Sequence, residues 1–302
     1  MKNYKIKIYF LSAPRFGKQG VKELSAYNYL GADTLFNAIS LAYLDLYGKE
    51  KLESFLSLML DSKSIPFYLS SFYPNGAIPA PIINPYSLAE DTGVGKKDRT
   101  DFIGYNALQK IQNHQSLSKS DYIKPLDLND KAVASLCNPG DGEFYENAVP
   151  YHVTTINPNN ENIVLSGFMN ITDAYLTNIK TCFAYLQDEG LGGNRSSGMG
   201  HIQKITIEPN SELSSHKGNY HLLLNDLYPS SDDLLKLKNS QNSYYKIENK
   251  AGWYMNSDKR KPNTSYFKAG SIFDFKPEGT LLDVSREDHK SFRYGLAYTT
   301  NI

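Results

Sequence analysis

The sequence has little cysteine and no excess of either charge. Its 302 residues include two cysteines, Cys137 and Cys182, which lie far apart without neighbouring metal-ligand residues. This spacing disfavours a disulfide framework or a zinc site, so we expect no metal and no cofactor. With 32 basic and 32 acidic residues, the formal net charge is zero. A uniformly basic nucleic-acid-binding domain is therefore excluded, and any RNA contact must depend on local patches or on partner subunits.

Long apolar runs are also missing. No stretch approaches the length that a membrane-spanning helix needs. The N-terminal lysines alternate with Ile6 and Ile8, which is typical of a strand rather than of a signal peptide. We therefore expect a cytoplasmic protein. The hydrophobic fraction of 40% is modest, but 23 tyrosines and 14 phenylalanines supply material for a core.

The most distinctive stretch that is present is a glycine-rich loop at 190–200. Five of its eleven residues are glycine, and its single charge is an arginine. Glycine permits positive φ and lets backbone amides approach a ligand, so such a loop can bind an anion. The guanidinium adds a planar fork suited to phosphate or to a base edge. A turn that merely joins two elements is the alternative. The candidate residues are Gly190, Leu191, Gly192, Gly193, Asn194, Arg195, Ser196, Ser197, Gly198, Met199 and Gly200.

The flanks of the glycine loop exclude two nucleotide-binding motifs. Upstream, Thr172 is a candidate N-cap for a helix that contains Cys182 as a small core residue. Downstream, isoleucines lie among polar residues over 202–207, as in a short strand. A dinucleotide-binding fingerprint needs strand, loop and helix in that order, the reverse of what is found here. A Walker motif needs a Gly-Lys-Ser/Thr sequence, which is absent. The apolar face of the predicted helix consists of Leu176, Ile179, Phe183 and Leu186.

The N-terminal part predicts a strand at 4–11, then a basic, glycine-containing loop. Arg15, Phe16, Gly17 and Lys18 of this loop form a candidate RNA contact, with the Phe16 ring available for stacking. A solvated strand edge is the alternative. A helix is predicted to start near Ala32, with Asp33 as its N-cap, followed by a second helix at 51–60 and a strand at 65–72.

The middle of the chain has poor periodicity from 84 to 147, which we interpret as an insertion. Alternating runs at 149–156 and 163–169 predict a hairpin that leads into the helix before the glycine loop. The resulting order of elements is that of a ferredoxin-like (βαββαβ) domain spanning 1–208.

A second set of elements follows Pro209, and we assign 209–302 to a C-terminal ferredoxin-like (RRM-like) domain. Strands are predicted at 220–224, 244–247, 271–275, 280–284 and 292–299, with a short helix starting at Ser231. Between them, Trp253, Arg260 and Lys261 combine an aromatic ring with positive charge, as single-stranded RNA grooves do. A solvated loop with Trp253 in the core is the alternative.

The ordered set of segments resembles a known family. The glycine loop is similar to the signature loop of RAMP-superfamily proteins in CRISPR effectors. Three further regions resemble subunit four of the type III-A (Csm) complex, and together with the loop they extend over most of the chain. These regions are Phe16-Gly17 ahead of 32–36, the proline-containing segment 72–81, and the C-terminal series Gly252-Trp253, Arg260-Lys261, Phe267, 269–273, Asp283-Val284 and Arg293-Tyr294.

The resemblance implies an α+β fold of two ferredoxin-like units with an insertion and a β-hairpin thumb, for which 145–168 is the candidate. It also implies a non-catalytic RNA-binding subunit in antiviral defence. Such a subunit holds the repeat-derived 5′ tag of the CRISPR RNA (crRNA) and approaches the guide–target RNA duplex. Its expected protein partners are the large polymerase-like subunit and a backbone subunit of the filament, with no membrane partner.

Three alternatives remain open at this point. A processing endoribonuclease of the same superfamily would need an acid–base set, and only His201 adjoins the glycine loop. A target-cleaving backbone subunit would need an aspartate in a first-domain loop, for which Asp33 is the nearest candidate. A structural adaptor would make no direct RNA contact.

Overall fold

The computed structural model describes residues 1–18, 25–86, 94–95, 97–133, 151–157, 163–210, 212–213, 216–254, 259–286 and 290–302. The α-helices are α1 (Ala32–Tyr47), α2 (Lys49–Leu60), α3 (Tyr105–Gln112), α4 (Asp173–Glu189) and α5 (Ser231–Asn239). The strands are β1 (Lys2–Phe10), β2 (Phe16–Gly17), β3 (Ala26–Tyr27), β4 (Phe67–Leu69), β5 (Tyr73–Pro74), β6 (Ala77–Pro79), β7 (Phe102–Gly104), β8 (Leu128–Val133), β9 (Tyr151–Ile156), β10 (Ile163–Ile171), β11 (Ile202–Pro209), β12 (His221–Leu223), β13 (Ile247–Lys250), β14 (Thr264–Phe267), β15 (Ile272–Phe273), β16 (Leu282–Asp283), β17 (Phe292–Arg293) and β18 (Thr299–Asn301).

The main sheet is antiparallel and has the spatial order β11-β1-β10-β4, with β5 also paired to β10. In β1, Ile6, Ile8 and Phe10 alternate toward one face, where α1 and α4 cover them. Each strand therefore contributes alternate side chains to a shared core, and the helices complete it. The fold is a mixed α/β structure built on antiparallel sheets.

The opposite face of the main sheet is buried as well. Phe168 of β10 packs in a second cluster with Leu108 and Ile111 of α3 and with C-terminal residues such as Leu222. Because β10 is covered on both sides, seven of its nine residues are buried. The segment predicted as an irregular insertion thus contains α3 and two described strands, and it supplies part of the core.

The C-terminal part completes the core of the N-terminal part. Tyr294 is fully buried in the same cluster as α1, and its hydroxyl oxygen accepts a hydrogen bond of 2.7 Å from the Leu69 amide. Within the described residues after 209 there is one α-helix, α5, which begins where predicted and is held by a reciprocal capping box between Ser230 and Asp233. The strands of this part form three small antiparallel sheets.

The predicted hairpin of 149–156 with 163–169 is wrong. β9 pairs with β8, with Val133 opposite Tyr151, whereas β10 pairs with β1, β4 and β5. The physical reason is that β10 is a central buried strand, while β8 is largely exposed and carries little apolar periodicity. The thumb candidate at 145–168 lies partly outside the described residues, and Cys137 lies entirely outside them.

Local predictions around the helices are confirmed with one correction. Thr172 is the N-cap of α4, and Cys182 is a buried core residue whose thiol pKa is raised to about 12 by burial. The N-cap of α1 is Gly31, so the assignment of Asp33 to that position is wrong. Asp33 lies inside the first turn instead, because its carboxylate is engaged by the C-terminal part of the chain.

Candidate nucleic-acid interface

The glycine loop is fixed against the first loop of the chain. The amide of Gly193 donates to the carbonyl of Arg15 at 2.9 Å, and the amide of Gly200 donates to that of Ala13 at 3.2 Å. The two ends of the glycine loop are joined by a further bond from the Leu191 amide to the Gly200 carbonyl at 2.9 Å. The two loops therefore form one rigid unit.

This close approach explains why glycine is required. A Cβ on Gly192 would lie 2.6 Å from the Arg15 carbonyl oxygen, and one on Gly200 would lie 1.9 Å from that of Leu191. Both residues also have positive φ, at 103° and 69°. By contrast, Gly198 has positive φ but no atom within 4 Å of the same position. Most of the glycines thus serve packing of the loop on its neighbours.

The tip of the glycine loop is the exposed part. Residues Arg195–Ser197 form a single 3₁₀ turn, and all three side chains face solvent. Arg195 is held loosely, with Nη1 3.3 Å from the Glu189 carbonyl oxygen and 3.7 Å from the Glu189 carboxylate. The amides of Ser197 and Gly198 donate to carbonyls within the turn. Binding by side chains is therefore favoured over the amide cradle that the sequence suggested.

The first loop contributes charge but no free ring. Arg15 is half-buried beside the glycine loop, with Nη1 3.4 Å from Oδ1 of Asn194. Phe16 is 4% exposed and packs edge-on against Phe10, so its predicted stacking role is wrong. A ring in a basic, glycine-containing loop was expected to face solvent, but β2 turns it into the core.

An aromatic residue that the sequence did not single out lies beside this loop. Tyr27 of β3 pairs with Phe16 of β2, and the Lys18 ammonium lies 5.2 Å from its ring centre. The Tyr27 hydroxyl donates to Glu248 at 2.7 Å, and burial together with this carboxylate raises its pKa far above the usual value. The alternating Ala26-Tyr27-Asn28-Tyr29 run was the signal that could have revealed it. Gly17 is partly buried, and Lys18 is exposed to solvent.

The β8–β9 ribbon joins the same region. Met199 of the glycine loop is fully buried in a small cluster with Val133 of β8 and Val153 of β9. The Ile156 amide also donates to the carbonyl of Pro14 in the first loop at 3.0 Å. Three segments that are distant in sequence therefore meet: the first loop, the glycine loop and the ribbon.

The predicted aromatic and basic segment near the C-terminus combines an exposed ring with a partly buried lysine. Trp253 is 52% exposed, which contradicts the alternative that placed it in the core, and the Arg260 guanidinium lies 4.7 Å from its ring centre. The Lys261 amide donates to the Gly252 carbonyl at 2.8 Å. Burial is the larger cause, and the nearby positive charge of Arg293 the smaller one, of a lowered pKa of the Lys261 ammonium. No described contact joins this segment to the glycine loop.

The Asp33 carboxylate is held by residues of the C-terminal part. Its carboxylate accepts a hydrogen bond of 2.8 Å from the Tyr294 amide and lies 3.5 Å from Nη1 of Arg293. Both charged side chains are buried. His201, beside the glycine loop, is exposed and its amide donates to Ser12 Oγ. Among the described residues, no group of three or more His, Cys, Asp or Glu side chains could hold a metal ion.

No helix in the described part of the chain is both long and apolar enough to cross a membrane.

Other charges near the N-terminal strand are also engaged. Lys5 is buried and paired with Glu212, and Lys2 lies 2.9 Å from Asp173. Within the described residues of the first loop and the glycine loop, the basic side chains are Arg15, Lys18 and Arg195.

Comparison with known proteins adds four findings. Residues 216–302 match the family model of the CRISPR Csm4 C-terminal domain. The CRISPR system Cms protein Csm4 of Streptococcus thermophilus is 25% identical over 306 residues, covering 93% of this chain and 92% of the relative. The solved Csm3-Csm4 subcomplex of a type III-A interference complex contains a similar chain, with a TM-score of 0.66, 18% identity, and coverage of 100% and 99%. A Csm1-Csm4 cassette in complex with AMPPNP has a TM-score of 0.64 at 13% identity, with coverage of 100% and 98%.

These matches first indicate the class: the proteins that this chain is similar to are CRISPR proteins. Its fold is that of the solved Csm4 chains along its whole length. The chain is thus similar to Csm4 over most of its length, and residues 216–302 match the model of the Csm4 C-terminal domain.

Proposed function

We propose that the protein is a non-catalytic subunit that holds the 5′ tag of the crRNA at the surface formed by the first loop and the glycine loop. The single observation that carries this proposal is the exposed Arg195–Ser197 turn on a rigid base. A fixed loop loses little conformational freedom when it binds a strand, and its arginine fits a phosphate or a base edge.

The arrangement suits a single strand whose backbone passes over the two loops. Arg15, in contact with Asn194, supplies further positive charge, as does the exposed Lys18 of the same loop. The exposed Ser196 and Ser197 hydroxyls supply neutral donors. Few phosphates would be neutralised by this set, so the isolated chain should bind RNA weakly and with a shallow salt dependence. The exposed Trp253 ring could stack on a base elsewhere along the strand, which is worth about 1–3 kcal/mol per base.

The proposed partners are inferred from similar solved proteins. The solved relatives are a Csm3-Csm4 subcomplex and a Csm1-Csm4 cassette. We infer that this chain likewise bridges the large polymerase-like subunit and the first backbone subunit. The chain would then lie beside the guide–target duplex. We take the β8–β9 ribbon, in place of 145–168, as the candidate thumb.

The domain assignment is also part of the proposal. The order β11-β1-β10-β4, with α1 after β1 and α4 after β10, supports a ferredoxin-like N-terminal unit. The boundary near 208 is supported by the family model, which begins at 216. A second ferredoxin-like unit after 209 stays a prediction.

The absence of an enzymatic role is supported by the environment of Asp33. A nucleolytic aspartate must face its substrate, whereas this one is buried against Tyr294 and Arg293. The proposal is tested by reconstituting the Csm complex with the Arg195→Ala variant and measuring crRNA content and tag crosslinking. Lys236→Ala is the matched control, because Lys236 is an exposed cation on α5.

We expect Arg195→Ala to lose tag crosslinks while the Lys236→Ala complex retains them. Gly192→Val should have a larger effect, because the added side chain would separate the two loops. Unchanged tag crosslinking in both loop variants would place the RNA contact elsewhere on the chain and overturn the proposed surface. A wild-type complex with no tag crosslink to this chain would argue for an adaptor without RNA contact. A defined, metal-independent cut in unprocessed repeat RNA by the purified chain would instead favour the endoribonuclease alternative.

A further inference from the structure

A cleft outside the glycine-loop surface has the size and lining of a small ligand site. It has a volume of about 220 Å³ and lies between the proline-containing segment after β6, the residues leading into β7, and the turn after β14. This is below the about 300–1,000 Å³ of pockets for drug-sized ligands, so the cleft fits a fragment such as one base with its phosphate.

The walls of the cleft are held by backbone hydrogen bonds. On one side the Ile82 amide donates to the Gly270 carbonyl at 2.9 Å, and the Ala80 amide donates to that of Asp101 at 2.8 Å. On the other, the Lys268 amide donates to the Lys246 carbonyl at 2.8 Å. The cleft is therefore formed before any ligand arrives, which reduces the entropy lost on binding.

Gly270 explains how the two walls come so close. Its φ is 90°, and a Cβ there would lie 2.5 Å from the Ala80 carbonyl oxygen. The turn after β14 thus meets the proline-containing segment at a point where only glycine fits.

The charges at the cleft favour an anion. Three basic residues, Arg99, Lys246 and Lys268, line it together with one acidic residue, Asp101. Asp101 is 79% exposed and lies 3.7 Å from Lys268, a distance at which an exposed pair contributes little. Within the described residues, Lys246 forms no ion pair.

The remaining lining favours a planar group. Tyr29, Tyr73 and Phe102 form a contacting aromatic set at the base of the cleft, with ring centres 5.3 to 6.4 Å apart. The hydroxyl of Tyr29 is buried, which raises its pKa, so it stays protonated. Pro81 and Ile82 add apolar surface on the opposite side. Basic side chains next to aromatic and apolar walls match a phosphate joined to a base.

We propose that this cleft is a binding site for one nucleoside phosphate, with the phosphate between Lys246 and Lys268 and the base against the aromatic and proline walls. The same chemistry could come from a free nucleotide or from one nucleotide of an RNA strand. Lys246 and Lys268 are not part of the glycine-loop surface, so substitutions test the two sites separately.

The first arm of the test uses the purified full-length chain with AMP and UMP, followed by ligand-observed NMR and a competition titration. We expect Lys246→Ala and Lys268→Ala each to weaken nucleotide binding about tenfold, as loss of a charged hydrogen bond does. Lys236→Ala is the control and should leave it unchanged. Inorganic phosphate that binds as tightly as AMP, or the free amino acid glutamate that competes equally, would overturn the proposal.

The second arm uses the reconstituted complex with crRNA. Crosslinking at Lys268 that AMP displaces identifies an RNA nucleotide as the source, whereas nucleotide binding without an RNA crosslink identifies a free nucleotide. The absence of both, in a wild-type complex whose Arg195 region still crosslinks the tag, would overturn the cleft proposal and leave the proposed function intact. Because both lysines are at the surface, the variants should fold; equal unfolding midpoints in urea would confirm it.

Discussion

Asp226 and Lys250 lie 2.7 Å apart inside the protein, whereas Arg195 and Glu189 lie 3.7 Å apart at its surface. The inner pair is almost fully buried, and the outer pair is about half exposed. A buried charge must keep its partner because desolvation is costly, but an exposed one can exchange its partner for another anion at little cost. The comparison separates charges that hold the fold from charges that are available to a ligand.

The same contrast holds for Asp33 and Arg293 against Lys18. The first two join α1 to the C-terminal part from within the core, while Lys18 lies over the Tyr27 ring at the surface. A role can therefore be assigned to a charged residue only when its burial is known. Here the buried ones, Asp33 and Arg293, connect segments that are distant in sequence, whereas Lys18 and Arg195 are exposed in the first and glycine loops.

The largest expected effect is on stability, from breaking the inner pair. Asp226→Ala leaves the Lys250 ammonium buried without its carboxylate and also removes the acceptor of the Ala269 amide. We expect a loss of about 3–5 kcal/mol in the free energy of unfolding, measured by urea denaturation. Lys290→Ala, which breaks an exposed pair with Glu53, is the control and should cost at most about 1 kcal/mol. Equal losses in the two variants would remove the distinction between the regions.

The second effect concerns the base of the glycine loop. Gly200→Ala places a methyl group 1.9 Å from the Leu191 carbonyl oxygen at a positive φ. The loss in unfolding free energy should exceed the about 1–2 kcal/mol that a left-handed backbone costs alone. Gly198→Ala, which has open space, should cost no more than that amount. If Gly198→Ala proves the more harmful in thermal unfolding, the packing explanation for the glycines is wrong.

The third effect tests the outer pair. Glu189→Gln removes the carboxylate that competes for Arg195, and it should leave the unfolding free energy within about 0.5 kcal/mol of wild type. RNA retention by the reconstituted complex, measured at two salt concentrations, should stay equal or rise slightly. A marked fall in retention would mean that Glu189 positions the arginine rather than competing for it.

The smallest effect is a pH dependence at His221. Burial, with a contribution from Lys276, lowers its pKa in the folded state. The unfolded chain then binds more protons, so stability is retained at neutral pH and falls as pH drops below the unfolded value of about 6.5. His221→Gln should lose less unfolding free energy than wild type between pH 7.5 and 5.5. An equal loss in both proteins would contradict the assignment.

Much of the N-terminal fold could be predicted from local patterns. Alternation in β1 and the helical spacing in α4 gave elements whose type is confirmed, and the helix–loop–strand order around 190–200 is as expected. The pairing of β9 could not be predicted because adjacency favoured β10, whose burial on both faces hides the periodicity that would reveal its true neighbours.

The candidate site was predictable in its residues but not in its geometry. Arg195 and the glycines stand out in the sequence, whereas the burial of Phe16 and the contact of Met199 with the ribbon depend on segments far away. The buried pairs are hidden for the same reason, since Asp33 and Arg293 are 260 residues apart. Long-range packing decides which notable residues face solvent.

The most direct test of the account is site-specific crosslinking between the 5′ tag of the crRNA and the Arg195–Ser197 turn in the assembled complex, compared in wild type and Arg195→Ala. The account predicts a crosslink to this turn in wild type that is lost in the variant, with the complex still assembled and Lys236→Ala unaffected. A tag that crosslinks elsewhere on the chain, with no change on loss of Arg195, would contradict it.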